Sequence, residues 1–152
     1  MRIYTDGATS NNGRSGAVGG WAFVIINDDD TIYCEDSGRI ENATNNICEM
    51  TAIMRACMRA TMINEEAYYT IYSDSAYCIN CYKQKWYKKW IQNGWINSKK
   101  QPVANQNIWE QLIIFFECGH FDFKKVEGHS SDKWNNYVDK LAVAAKEMNE
   151  NS

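Results

Sequence analysis

Residues 2–9 alternate apolar and polar side chains with a period of two, as a strand with one buried face does, and strand-like apolar runs recur at 21–27 and 31–40. The turn-rich stretch 10–20, punctuated by Asn11-Asn12-Gly13 and Gly19-Gly20, separates the first two, and Asp28-Asp29-Asp30 separates the second and third. Three strands joined by short turns read as an antiparallel meander. At Thr44, a candidate N-cap, the apolar spacing changes to that of a helix reaching about residue 62, with Ile47, Met50, Ile53, Met54 and Cys57 facing inward. A strand at 68–73 runs directly into a helical segment at 75–82, and strand–helix–strand linkage of this kind favours parallel pairing. A basic segment, 83–100, turns at Asn93-Gly94; a helix at 105–118 ends at Gly119, a strand covers 120–127, and a final helix covers 134–148. The expected fold is α/β, one mixed five-stranded sheet with helices on both faces, forming a single domain over 1–148 with 149–152 as a frayed tail.

Composition narrows the class without naming a function. At 152 residues, 45% apolar and 23% charged, the chain matches a globular domain able to bury a core. It begins MRIYTDGATS, with no apolar signal core, and its longest uncharged apolar stretch, 17–27, is too short to cross a bilayer, so a cytosolic protein without a membrane role is expected. Six cysteines, Cys34, Cys48, Cys57, Cys78, Cys81 and Cys118, lie mostly within apolar periodic segments and read as reduced core thiols. Cys78 and Cys81 have the spacing of a redox or half-zinc motif, but only His120 and His129 could complete a metal site.

Charge is distributed unevenly. The net value is −3, yet no acidic residue lies between Asp74 and Glu110, where Lys83, Lys85, Lys88, Lys89, Lys99 and Lys100 alternate with Trp86, Trp90, Trp95 and Trp109. A basic, aromatic-rich face on an otherwise acidic protein is the footprint of a polyanion partner; Trp109 is assigned to the core.

Four acids stand out by position. Asp6 and Asp74 sit in the strand-ending strings Tyr-Thr-Asp-Gly and Tyr-Ser-Asp-Ser, while Glu49 and Asp139 open amphipathic helical patterns, Glu49 in a first turn where the helix dipole alone would favour it. Ligands of open α/β sheets gather at the carboxyl ends of strands, so the two aspartates become neighbours if their strands do. Two carboxylates about 5 Å apart repel by roughly 3 kcal/mol at an effective dielectric near 20. Four such groups must either protonate or take up a hard divalent cation such as Mg²⁺. A pair of ions suits phosphodiester hydrolysis.

Several strings together carry a family likeness: Tyr-Thr-Asp-Gly at 4–7, Thr-Asn-Asn-Ile-Cys-Glu-Met at 44–50, Ser-Asp-Ser at 73–75, Asn-Gly-Trp at 93–95, Pro-Val-Ala-Asn at 102–105, and Gly-His at 128–129 with Asp139 ten residues beyond the histidine. In order and spacing the chain resembles a type-1 ribonuclease H of the bacterial ribonuclease HI kind over essentially its whole length. The resemblance implies a ribonuclease H-like fold and endonucleolytic hydrolysis of the RNA strand of RNA–DNA hybrids, leaving 5′-phosphate and 3′-hydroxyl ends. It implies two Mg²⁺ ions, with Mn²⁺ as a substitute, held by Asp6, Glu49, Asp74 and Asp139, and a histidine, His129, on a loop that assists proton transfer or product release. Asn12, Thr44 and Asn105 would hold the DNA-strand phosphate, Asn45 would reach a base edge or ribose, and backbone near Gly7 would detect a 2′-hydroxyl. Lys83, Lys85, Trp86, Lys88, Lys89, Trp90, Trp95, Lys99 and Lys100 would cradle the DNA strand. A monomer with no obligatory protein partner is expected.

The residues themselves leave two rivals open: a junction-resolvase or transposase-type nuclease with the same acidic cage, and a silent hybrid-binding module. Asn12, Thr44 and Asn105 also have alternatives as turn or cap residues. Two departures from the family pattern, the absence of a glycine between His129 and Asp139 and Asn136 where a glutamate is common, bear on loop mobility and turnover rather than on the reaction.

Overall fold

A computed structural model describes residues 1–10, 17–126 and 132–148. Five strands, β1 (Arg2–Ser10), β2 (Val18–Ile26), β3 (Ile32–Glu41), β4 (Tyr69–Ser73) and β5 (Phe121–Lys125), form one sheet in the order β3-β2-β1-β4-β5. The β1–β2 and β2–β3 pairs are antiparallel, and the β1–β4 and β4–β5 pairs are parallel, which is the expected mixed sheet. The helices are α1 (Asn45–Ile63), α2 (Ala76–Gln84), α3 (Trp86–Asn93), α4 (Gln106–Glu117) and α5 (Lys133–Lys146).

The sheet is buried on both faces at its centre, so β2 is apolar at successive positions rather than alternating. Trp21, Phe23 and Ile25 pack with Met50, Ile53 and Cys57 of α1. Ala22, Val24 and Ile26 pack with Trp134, Val138 and Ala142 of α5 on the opposite face. Thr44 caps α1, its hydroxyl accepting from the Ile47 amide at 3.2 Å, as the sequence pattern suggests. None of the described helices is long and apolar enough to cross a membrane.

Two elements differ from the sequence reading: α3 lies within 83–100, which reads in the sequence only as a basic stretch turning at Asn93-Gly94, and β2 begins earlier than expected. Gly19 and Gly20 lie within β2 rather than in the turn before it. A Cβ on Gly20 would sit 2.2 Å from the Ala142 carbonyl oxygen, and one on Gly19 would sit 2.2 Å from the Cys48 sulfur. These glycines therefore let α5 and α1 approach the two faces of the sheet closely, a use that looks identical to a turn signal in the sequence. Gly20→Ala is expected to destabilise the protein by about 1–3 kcal/mol through overpacking. Urea denaturation checks this, and an unchanged midpoint would contradict the close seating of α5.

Candidate active site

The parallel pairing of β1 with β4 runs from Arg2↔Thr70 to Tyr4↔Tyr72 and stops there, although β1 continues to Ser10 against β2. Asp6 and Asp74 each lie two residues beyond the last paired tyrosine, so they stand level where β4 leaves the sheet. The departing turn is shaped by serines on both sides of Asp74. The Ser75 amide donates to Ser73 Oγ at 3.1 Å, and Ser75 Oγ caps α2 by accepting from the Cys78 amide at 3.2 Å.

Glu49 arrives from the other side of β1 because Gly7 has no side chain. A Cβ there would lie 2.7 Å from backbone and Cβ atoms of Cys48 and from the Glu49 nitrogen. The Gly7 amide donates to both acids, to Asp6 Oδ1 at 2.9 Å and to Glu49 Oε1 at 3.0 Å. That N–H is thus occupied by carboxylates, so the 2′-hydroxyl contact expected of backbone near Gly7 falls to other backbone groups there. One oxygen each of Asp6, Glu49 and Asp74 lies within 4.8 Å of the others, the one group of this kind among the described residues. Asp139 is not within that trio, but it bears on the Asp6 carboxyl from the α5 side. Asp6 therefore sits between acids from both faces of the sheet.

Neither helical acid is where its dipole would explain it. Glu49 is one turn past the start of α1, and Asp139 is in the middle of α5. Both positions lie beyond the first turn, where the dipole's effect is concentrated. Burial and the charge of Asp74 raise the Asp6 pKa to about 8, and burial and the charges of Asp6 and Asp74 push Glu49 well above the usual carboxylate range. Glu49 is 9% exposed, and its buried Oε2 has no hydrogen-bond partner among the described residues. A buried acceptor without a donor costs about 1–3 kcal/mol, and a cation on that oxygen would remove the cost. An all-oxygen set of this charge fits a hard divalent ion.

The substrate-facing expectations divide. Trp90 is 8% exposed and packs among Trp86, Trp95 and Trp109 at ring separations of 6.4, 5.8 and 5.5 Å. It supports half-buried Trp86 and Trp95 from beneath, so its expected direct contact with the DNA strand is corrected to a packing role. Lys83, Lys85, Lys88, Lys89, Lys99 and Lys100 are exposed. Asn97 Oδ1 holds the last pair in place by accepting from the amides of Lys99 and Gln101 at 2.9 and 3.0 Å. Asn105 precedes α4 with left-handed backbone (φ 63°) and makes no side-chain cap, unlike Thr44, whose hydroxyl is a cap. Asn45 is exposed, and its Oδ1 accepts from the Thr9 hydroxyl. Thr9 went unnoticed in the sequence; its signal is that it shares the α1 side of β1 with Gly7, two residues on. Asn12 and His129 lie outside the described residues. Cys78 and Cys81 are buried free thiols with pKa values pushed by burial to about 12, which fits structural cysteines.

The sign of the Asp6 shift has a measurable consequence. A carboxyl whose folded-state pKa lies above its unfolded value of 3.8 favours folding below that value and loses this contribution as pH rises through about 8. In chelator, Asp6→Asn should therefore gain thermal stability relative to the parent as pH is raised from 5 to 9. Thermal melts across that range check it, and a pH-independent difference would contradict carboxylate crowding.

Comparison with known proteins agrees with this geometry. The family model described as RNase H matches residues 1–147. The chain is 38% identical over 147 residues to the ribonuclease H of Clostridium botulinum strain Hall, covering 94% of this chain and 93% of that one. It is 41% identical over 145 residues to that of Moorella thermoacetica, covering 95% and 90%. Among solved structures, LC11-RNase H1 in complex with an RNA/DNA hybrid shares the fold at a TM-score of 0.71 and 19% identity, covering 95% of each chain. A foamy viral protease–reverse transcriptase structure in complex with dsDNA aligns at 0.81 and 23% identity, covering 96% and 93%. With the acids gathered where β4 departs and the family match spanning nearly every residue, the chain belongs to the ribonuclease H family and is a ribonuclease H.

Proposed function

We propose that this ribonuclease H cuts the RNA strand of RNA–DNA hybrids at the shelf formed by Asp6, Glu49, Asp74 and Asp139, using divalent ions, with Mg²⁺ as the working metal and Mn²⁺ as a substitute. The observation that carries the reading is the crowding of the Asp6, Glu49 and Asp74 carboxylates, with a buried Glu49 oxygen that has no partner among the described residues. Members of the family use divalent metal, and the oxygen set here suits it. Bound ions would supply Lewis acidity, activating water and neutralising charge on the departing 3′ oxygen.

The chain's own residues do the rest. Asp6, reached from both faces of the sheet, is the common member of the cage, Glu49 and Asp74 complete one side, and Asp139 completes the other. The Gly7 amide fixes the rotamers of Asp6 and Glu49 before any ligand arrives. Asn105, free of a capping duty, and Asn12 are assigned to the DNA-strand phosphate. Thr44 can still donate its hydroxyl proton while it accepts from Ile47. Thr9 holds the side-chain oxygen of Asn45, and Asn45 is assigned to the substrate's base edge or ribose. His129, ten residues before Asp139 in sequence, is assigned to proton transfer or product release.

Exposed lysines on α3 and the loop after it lie beside half-buried Trp86 and Trp95, and this surface is assigned to the DNA strand. Lysine–phosphate attraction is sequence-independent and salt-sensitive, whereas tryptophan packing on sugars discriminates the backbone path. The same proposal includes action in the cytosol as a monomer, which size-exclusion chromatography with light scattering checks.

Labelled hybrid, single-stranded RNA, duplex RNA and duplex DNA offered in parallel should show cutting of the hybrid's RNA strand alone; equal cutting of duplex DNA would overturn the substrate assignment. Asp6→Asn or Asp74→Asn should remove several kcal/mol of barrier lowering, on the order of 10³-fold in rate, while leaving hybrid binding in place. Near-parental turnover by either variant would refute the site. Lys88→Ala with Lys89→Ala should weaken hybrid binding uniformly across sequences. The slope of log affinity against log salt should become shallower by roughly 1.5, and an unchanged slope would remove these lysines from the interface.

A further inference from the structure

Asp139 has no strand end to place it. Its position depends on where α5 lies along its own axis. Asp132, the N-cap of α5, precedes Asp139 by seven residues, close to two full turns, so both project from one face of the helix. The strand they face shows a matching pair, because Tyr4 and Asp6 share one side of β1. Tyr4 donates its hydroxyl to Asp132 Oδ2 at 2.9 Å, and Asp6 meets Asp139. Helix and strand are thus joined by two rungs. The upper rung only brings two acids together; the lower is a tyrosine hydroxyl donating to a carboxylate, a strong kind of hydrogen bond, and is the anchor.

The lower rung is braced on all sides. Asp132 Oδ1 accepts from the Trp134 amide at 3.0 Å, closing the cap. Asp30, in the turn between β2 and β3, receives Trp134 Nε1 at 2.8 Å, Lys133 Nζ at 2.6 Å and Arg2 at 2.6 Å, tying the first turn of α5 to the start of β1. The Tyr4 ring stacks on Tyr72 at 4.9 Å. Tyr72 precedes Asp74 by two residues, as Tyr4 precedes Asp6, so the anchor refers α5 to both strands that carry aspartates.

We propose that the Tyr4–Asp132 hydrogen bond, backed by the Asp30 clamp, is a positioning device that sets the axial register of α5 and so brings Asp139 to the metal cage. The inference rests on the four-acid cage proposed above. Tyr4 and Asp30 touch neither metal nor substrate in this scheme; they act through Asp132 and the helix.

Calorimetric titration of Mn²⁺ into metal-free protein tests it with a readout independent of turnover. Tyr4→Phe deletes one hydroxyl and keeps the stacked ring. It should raise the Mn²⁺ dissociation constant about tenfold, the usual size of an effect exerted through a ligand's support. Asp30→Asn should act in the same direction and serves if Tyr4→Phe does not fold. Tyr69→Phe, which removes a buried bond from Tyr69 to the Ala60 carbonyl oxygen at 3.2 Å far from α5, should lower stability without altering Mn²⁺ binding. In an Asp139→Asn background, Tyr4→Phe should have no further effect on Mn²⁺ affinity, because the ligand it positions is gone. Full additivity of the two substitutions, or unchanged Mn²⁺ binding by Tyr4→Phe, would overturn the inference alone. Equal Mn²⁺ affinity of the parent and Asp139→Asn would instead remove Asp139 from the cage.

Discussion

Electrostatic repulsion among carboxylates held within 4.8 Å of one another is the constraint around which the molecule is arranged. Two ionised acids at about that distance oppose folding by several kcal/mol even with partial screening, so the backbone must hold them there by other means. The hydrophobic packing of α1 and α5 on opposite faces of β1 and β2 supplies that force, and glycines at the crossing points let both helices come close enough. The cost shows as raised pKa values for Asp6 and Glu49 and as an oxygen of Glu49 with no donor among the described residues. A divalent cation is the ligand for which such a site is already organised; a neutral or anionic group would leave the strain in place.

Much of this was readable in the order of residues. Period-two and helical spacing located all five strands and four of the helices within a residue or three, while α3, inside the basic stretch that turns at Asn93-Gly94, was not picked out as a helix. The acids stood out because Asp6 and Asp74 lie just past the apolar residues of parallel neighbours. What was misread involves tertiary context. Gly19 and Gly20 resemble a turn until α5 and α1 are known to lie over them. Trp90 looked like a surface ring among lysines, yet it fills the space beneath Trp86 and Trp95. Glu49 and Asp139 were assigned to helix starts, but each helix begins earlier, so placement by packing, not by the dipole, accounts for both.

The site also separates its tasks by element. The acids come from the sheet and the helices packed on it, where backbone positions are fixed by many buried neighbours. In the proposed reading, charge for the polyanion comes from α3 and the loop after it, whose lysines are exposed and need no fixed rotamer. Rigid placement suits metal ligands, since errors of a fraction of an ångström matter there. Loose placement suits phosphate attraction, which falls off gradually with distance. Tyr4 and Tyr72, two residues before Asp6 and Asp74, link the core to the cage, so that the same rows of the sheet stack aromatic rings at one level and present acids at the next.

Anomalous diffraction from crystals soaked in Mn²⁺ tests the convergence most directly. Metal density is expected between Asp6, Glu49 and Asp74, with Glu49 Oε2 as one of its ligands. Density elsewhere on the protein, with these three carboxylates turned apart and bare of any ion, would contradict it.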